Sequence, residues 1–203
     1  MNTEAQSLLN SVKQWFNRPE ELSQRSNEAD NGLSTAEQAF VDTLPAGSRC
    51  LDIGCATGRL VFALAKHGYA ATGIDIAEEQ IAQAQQLAQQ RNCNATFLHY
   101  EPPTLPLPNA AFDAAFLVKT YCYIPYRATR IAFLTEIARV LTPNGYLYLS
   151  QQILDAYCDN YAPTYDDNYH QFAPDYETLE PGDNFTLGTP NYVHFFLSAD
   201  LGE

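Results

Sequence analysis

Leu51-Asp52-Ile53-Gly54-Cys55-Ala56-Thr57-Gly58 opens the alternating strand-and-helix part of this chain. The apolar run from Cys50 to Ile53 reads as a buried strand, and it breaks at once into glycine. From Arg59 to His67 apolar residues return at helical spacing, and Gly68 is a good C′ residue to end that helix. Glycines at a strand-to-helix turn let a ligand come against the backbone, and the helix start supplies free N–H groups. The stretch predicts a nucleotide-type site at the end of a first strand.

The residues that follow repeat the alternation. A second strand is expected over Tyr69 to Ile76, a helix over Glu78 to Gln90, a third strand over Ala95 to Tyr100 and a fourth over Phe112 to Val118. Ile131, Leu134, Ile137, Ala138 and Leu141 form one helical stripe, and Pro143-Asn144-Gly145 turns the chain into a fifth strand, Tyr146 to Ser150. Strands and helices of these lengths imply right-handed crossovers, hence an α/β fold with a Rossmann-like, mainly parallel sheet and helices on both faces. Upstream, Leu8, Leu9, Val12, Trp15 and Phe16 mark a helix over residues 4–16, and the polar run from Asn17 to Gly32 reads as a loop. Ser34 and Glu37 then form a capping-box signature for a short helix that ends by Pro45 to Gly47.

With 203 residues and 46% hydrophobic side chains the chain can bury one sizeable core, so residues 1–203 are expected to form a single domain. Its parts are N-terminal helices (1–47), a cofactor-binding core (48–150) and an acidic, tyrosine-rich lid or tail (151–203) with no Lys or Arg. In that tail Phe185 to Leu187 and Tyr192 to Leu197 are spaced to form a hairpin. A formal charge of -13 argues against nucleic acid or an anionic membrane as partner, because such surfaces need clustered Lys and Arg. No apolar run approaches the roughly 18 residues of a membrane helix. An odd cysteine count without CxxC spacing, and a start unlike a secretory leader, point to the reducing cytoplasm. No His, Cys or carboxylate spacing matches a metal site.

Asp75 ends the second strand about 20 residues after the glycine turn, where a carboxylate accepts from both ribose hydroxyls of a nucleotide-type ligand. The competing reading makes it an N-cap for the helix at Glu78.

Taken together, LDIGCATGR, GIDIAEEQIAQAQ, LPLPNAAFDAAF and RVLTPNGYLYLS resemble, in order and spacing, the motifs of class I S-adenosylmethionine-dependent methyltransferases over about residues 33–150. The resemblance implies S-adenosylmethionine as cofactor, a small-molecule acceptor and transfer of a methyl group, the alternative being an adenosyl-binding protein with little or no turnover. It implies that Asp52 and Gly54 line the methionine end, that Cys55, Thr57 and Gly58 shape the loop, and that Asp75 holds the ribose. It further places Ile76 on the adenine, Glu101 near the adenine amine and Lys119 at the cofactor. Ala56 departs from the glycine usual in that loop and is tolerated there if its φ is negative; Pro102 and Pro103 remove backbone donors beside Glu101. Where many members carry Leu-His-His-Ile-Pro, this chain has Tyr121-Cys122-Tyr123-Ile124-Pro125, so Tyr121 and Tyr123 are the catalytic candidates. Tyr126, His170 and His194 are candidate substrate neighbours. The helix and antiparallel strand pair that close the family's sheet are not recognisable, which leaves the tail hairpin or a second subunit in a homodimer to cover the edge. An NAD-dependent oxidoreductase would want GxGxxG instead.

Overall fold

A computed structural model describes residues 3–151, 179–180, 182–186, 189 and 191–196. Three helices lead in: α1 (Thr3–Phe16), α2 (Pro19–Glu28) and α3 (Thr35–Val41). The α/β series follows as β1 (Arg49–Ile53), α4 (Arg59–Lys66), β2 (Ala70–Asp75), α5 (Glu78–Gln90), β3 (Thr96–His99), β4 (Phe112–Val118), α6 (Arg127–Val140) and β5 (Leu141–Ser150). A short 3-10 turn, Tyr121–Tyr123, stands between β4 and α6. All five strands are parallel, in the order β3-β2-β1-β4-β5.

Alternation along the central strands divides the core. Cys50, Ala114 and Phe116 face α3, α4 and α5, where they meet Val41, Leu60, Val61 and Ile81. Leu51, Ala115 and Leu117 face α6 and meet Phe133, Ile137 and Val140. Both faces are thereby covered, as a parallel sheet requires.

Three expectations change. Asn17 to Gly32 is not a continuous loop: α2 begins with Pro19 at its first position and Glu20 and Glu21 in its first turn. No residue of α2 is buried, so it lacks the apolar period that marks helices in sequence, although its proline and acids are proper start signals. In α6 the buried stripe is Arg130, Phe133, Ile137 and Val140, while Ile131 is 43% exposed and Ala138 faces out. The helix turns that face to the sheet because Phe133 and Ile137 fill the space beside Leu51 and Leu117.

The tail hairpin forms, as β6 (Asp183–Phe185) and β7 (Tyr192–His194), but it is a separate antiparallel pair and does not join β5. Phe185 and Tyr192 are buried against Leu8 and Val12 of α1, and Phe196 stacks on Tyr121 at 5.3 Å. The hairpin thus caps the C-terminal end of the sheet rather than its edge, drawn there by apolar side chains of α1 and the 3-10 turn. Within it Asp183 Oδ1 accepts from Tyr192 Oη at 2.6 Å and lies 2.7 Å from His194 Nδ1.

Candidate functional site

Strand order reverses between β1 and β4, and a cavity of about 500 Å³ opens beyond the C-terminal ends of these strands. That is where open α/β sheets bind ligands, because neighbouring crossovers leave in opposite directions and part the loops. Its floor is the turn after β1, with Asp75 and Ile76 on the β2 side and Lys119 and Thr120 on the β4 side. Its roof includes Leu9, Val12 and Phe16 of α1.

The turn is held close to its neighbours. Gly54 has φ +76, and a Cβ there would overlap the Thr120 side chain; at Gly58, φ +96, it would fall 2.7 Å from the Phe97 ring. Ala56 does not have the negative φ expected of it: φ is +46. Its N–H donates to Asp75 Oδ2 at 2.8 Å, a tie across the two strand ends that holds the left-handed conformation in place.

Asp75 is 8% exposed, and its other oxygen accepts from Ala77 N–H at 2.8 Å. Ala77, not Asp75, stands at the N-cap position of α5, so the carboxylate joins the glycine turn to the start of that helix. Burial pushes its carboxyl up, against the N–H groups of Ala77, Ala56 and Ile76, which favour the anion. Asp52 is buried to 4% exposure on the cavity wall, and its carboxylate accepts no hydrogen bond from the described residues. Burial raises its carboxyl to about 7, Arg59 opposing and Asp75 and Glu37 adding to the rise. Cys55 also lines the cavity, but burial lifts its thiol well above the ordinary range, so it is an inert wall.

The capping box legible in the sequence has a further duty. Glu37 accepts from Ser34 N–H at 2.6 Å while Ser34 Oγ accepts from Glu37 N–H, and the same carboxylate takes a two-pronged bond from Arg59 at 2.6 and 2.9 Å. Arg59 opens α4, where a cation opposes the helix dipole, and Glu37 neutralises it. Burial pushes Glu37 up, yet the Arg59 fork and the Ser34 bonds hold it below its usual range.

Of the catalytic candidates, Tyr123 reaches the cavity and Tyr121 does not, being stacked on Phe196. Burial raises the Tyr123 hydroxyl to about 12, so it keeps its proton at neutral pH. Lys119 lines the cavity with φ +53; Tyr126, φ +62, lies outside its lining and precedes α6. Glu101 is turned away: its side chain is 55% exposed and pairs with Lys13 Nζ of α1 at 2.6 Å. Gly58 and His194 are not part of the wall, and His194 is 3% exposed beside Asp183. His170 lies outside the described residues.

Among the described residues two clusters bring potential metal ligands within 4.8 Å, Glu78 with His99 and Glu101, and Glu180 with Asp183 and His194. Lys13 occupies the first. Arg130 and the N–H of Arg127 engage Glu180 in the second, and Tyr192 engages Asp183, so neither carries a metal assignment. Sequence reasoning missed Phe16, Arg25, Gln80 and Tyr148 on the wall, because nothing local says that α1, α2 and the end of β5 meet over one cavity.

Residues 50–145 match the family model described as a methyltransferase domain. The core is similar to methyltransferase domains. A solved SAM-dependent methyltransferase from Methanosarcina mazei shares 26% identity with a TM-score of 0.67, over 84% of this chain and 81% of that one. The core is also similar to the O-methyltransferase rstn1 of Aspergillus nomiae, 36% identical over 56% of this chain and 51% of the relative. The O-methyltransferase resE of Aspergillus sclerotiorum is 34% identical over 57% and 44%. The chain spans about half the length of these curated relatives. No described helix is long and apolar enough to cross a membrane.

Proposed function

We propose that this chain transfers a methyl group from S-adenosylmethionine to an oxygen of a small-molecule acceptor. The observation that carries the proposal is the convergence of Asp52, the glycine turn and Asp75 on one cavity at the switch point of the sheet. The O-methyltransferases similar to it suggest oxygen as the acceptor atom.

The residues fit the cofactor. Gly54 lets the turn pack against Thr120 where no Cβ could stand, and Asp52 offers a buried carboxylate with no hydrogen bond from the described chain. In this reading Asp75 holds the ribose, Ile76 lies on the adenine, and Asp52 with Gly54 receives the methionine end. Cys55, Thr57 and Gly58 shape the loop, and Lys119 faces the carboxylate of the donor. Glu101 is left out of the set, because Lys13 holds it outside the cavity.

When bound, S-adenosylmethionine supplies a methyl group on a sulfonium, which becomes a neutral thioether on transfer. The chain contributes alignment and exclusion of water, with Phe16, Tyr123, Ile124 and Phe133 as the apolar wall on the acceptor side. Tyr123 keeps its proton and orients the acceptor oxygen by donating a hydrogen bond to it, while the acceptor reacts as the oxyanion, its own proton having gone to solvent. The four described cysteines are free thiols, in keeping with a cytoplasmic setting, and we treat residues 1–203 as one domain.

Calorimetric titration of S-adenosylhomocysteine into the protein tests the site. Binding is expected for wild type, and Asp75→Asn, which keeps one acceptor oxygen for the Ala56 or Ala77 N–H but turns an NH₂ towards the other, is expected to weaken it by about tenfold. Equal affinity of the variant, or preference for NAD over the adenosyl ligand, overturns the reading.

A further inference from the structure

Gln80 stands in the first turn of α5, five residues beyond Asp75, fully buried on the cavity wall. Its Nε2 donates to the carbonyl of Phe16, the last residue of α1, at 2.6 Å. A carbonyl only accepts, so this bond fixes which end of the amide is the NH₂ and turns Oε1 the other way. That Oε1 is buried and meets no donor among the described residues. A buried amide oxygen left without a donor is costly, and few native structures keep one without a use.

Position narrows what it awaits. Residues two apart on a helix lie about 200° apart around its axis, so Gln80 faces inward where Glu78 faces out to Lys13. Asp75 lines the same cavity, and both its oxygens already accept one backbone N–H, from Ala56 and Ala77. A ribose presents two adjacent O–H donors to that corner.

We propose that Gln80 Oε1 accepts a hydrogen bond from one ribose hydroxyl of the methyl donor, sharing the diol with Asp75, and is therefore a residue of donor specificity. The inference rests on the cofactor reading above. The same amide then joins donor to lid: its NH₂ holds α1 at Phe16 while its oxygen holds the ribose.

The test compares S-adenosylhomocysteine with two analogues, each lacking one ribose hydroxyl, and with S-inosylhomocysteine, which lacks the adenine amine. Affinities are measured by calorimetry on wild type, Gln80→Met and Gln80→Glu. For wild type, loss of the hydroxyl that Gln80 receives is expected to weaken binding about tenfold. In Gln80→Met that ratio should collapse towards one; in Gln80→Glu, which retains an acceptor oxygen, it should persist. Loosening of α1 weakens every ligand alike and leaves the ratios unchanged, so a purely structural role is separated from recognition. Ratios unaltered in Gln80→Met, or collapse of the inosine ratio instead, each overturns the inference and leaves the cofactor reading standing; wild type that binds both deoxy analogues as tightly as the parent overturns the inference and the Asp75–ribose contact with it. Failure of wild type to bind S-adenosylhomocysteine at all removes both.

Discussion

Asp52 is a carboxylic acid placed where it resists ionising. Its ordinary value of 3.8 rises to about 7 because burial strips water from the anion, and Asp75 and Glu37 add negative charge nearby. Between those two values the folded chain holds more protons than the unfolded one, so stability falls as pH rises from about 4 to about 7 and is level above that. Asp52→Asn removes this slope. Denaturant midpoints at pH 5 and pH 8 should differ less in the variant than in wild type, with the variant the more stable at pH 8. An unchanged pH difference would show that Asp52 is ionised without cost. The motif LDIGCATG made Asp52 legible as a site residue, but its environment depends on Glu37 and Arg59, which arrive from separate elements. Ala56 shows the same limit: its positive φ is set by the bond to Asp75, nineteen residues on.

The helix α3 shows how an element is secured twice by one side chain. Its capping box was readable from Ser34 and Glu37, since both partners lie within one turn. The fork from Arg59 to Glu37 was not, since it spans twenty-two residues and joins α3 to α4. Glu37→Ala removes a cap and strands a partly buried guanidinium, and should cost about 3 kcal/mol by chemical denaturation. Because the Glu37 carboxyl is held below its ordinary value of 4.5, its stabilisation is present above that pH and fades as pH falls through the folded value. A loss under about 0.5 kcal/mol would mean the fork is incidental. Elements without an apolar period were the ones misread. The polar helix α2 buries nothing, and the buried face of α6 includes Arg130, which no hydrophobic pattern would assign.

Across the protein, the sheet ends at β5 among the described residues, with Tyr146 59% and Leu149 41% exposed. An unpaired strand edge with apolar side chains invites a partner, and the tail hairpin is occupied elsewhere, against α1 and Tyr121. We therefore expect a homodimer by light scattering, reverting to monomer in Leu149→Lys. A wild-type monomer at the same concentration contradicts this.

Sequence alone determined the order of strands and helices, the glycine turn after β1, the acid at the end of β2 and the family they resemble. Each of these rests on neighbours within a few residues, where backbone sterics and hydrophobic period act. Only the tertiary structure decided that Glu101 leaves the cavity for Lys13, that the Gln80 oxygen is buried without a donor among the described residues, and that the hairpin packs on α1 and the 3-10 turn instead of extending the sheet. Those outcomes depend on partners far apart in the chain, whose competition for hydrogen bonds and apolar surface no local pattern records.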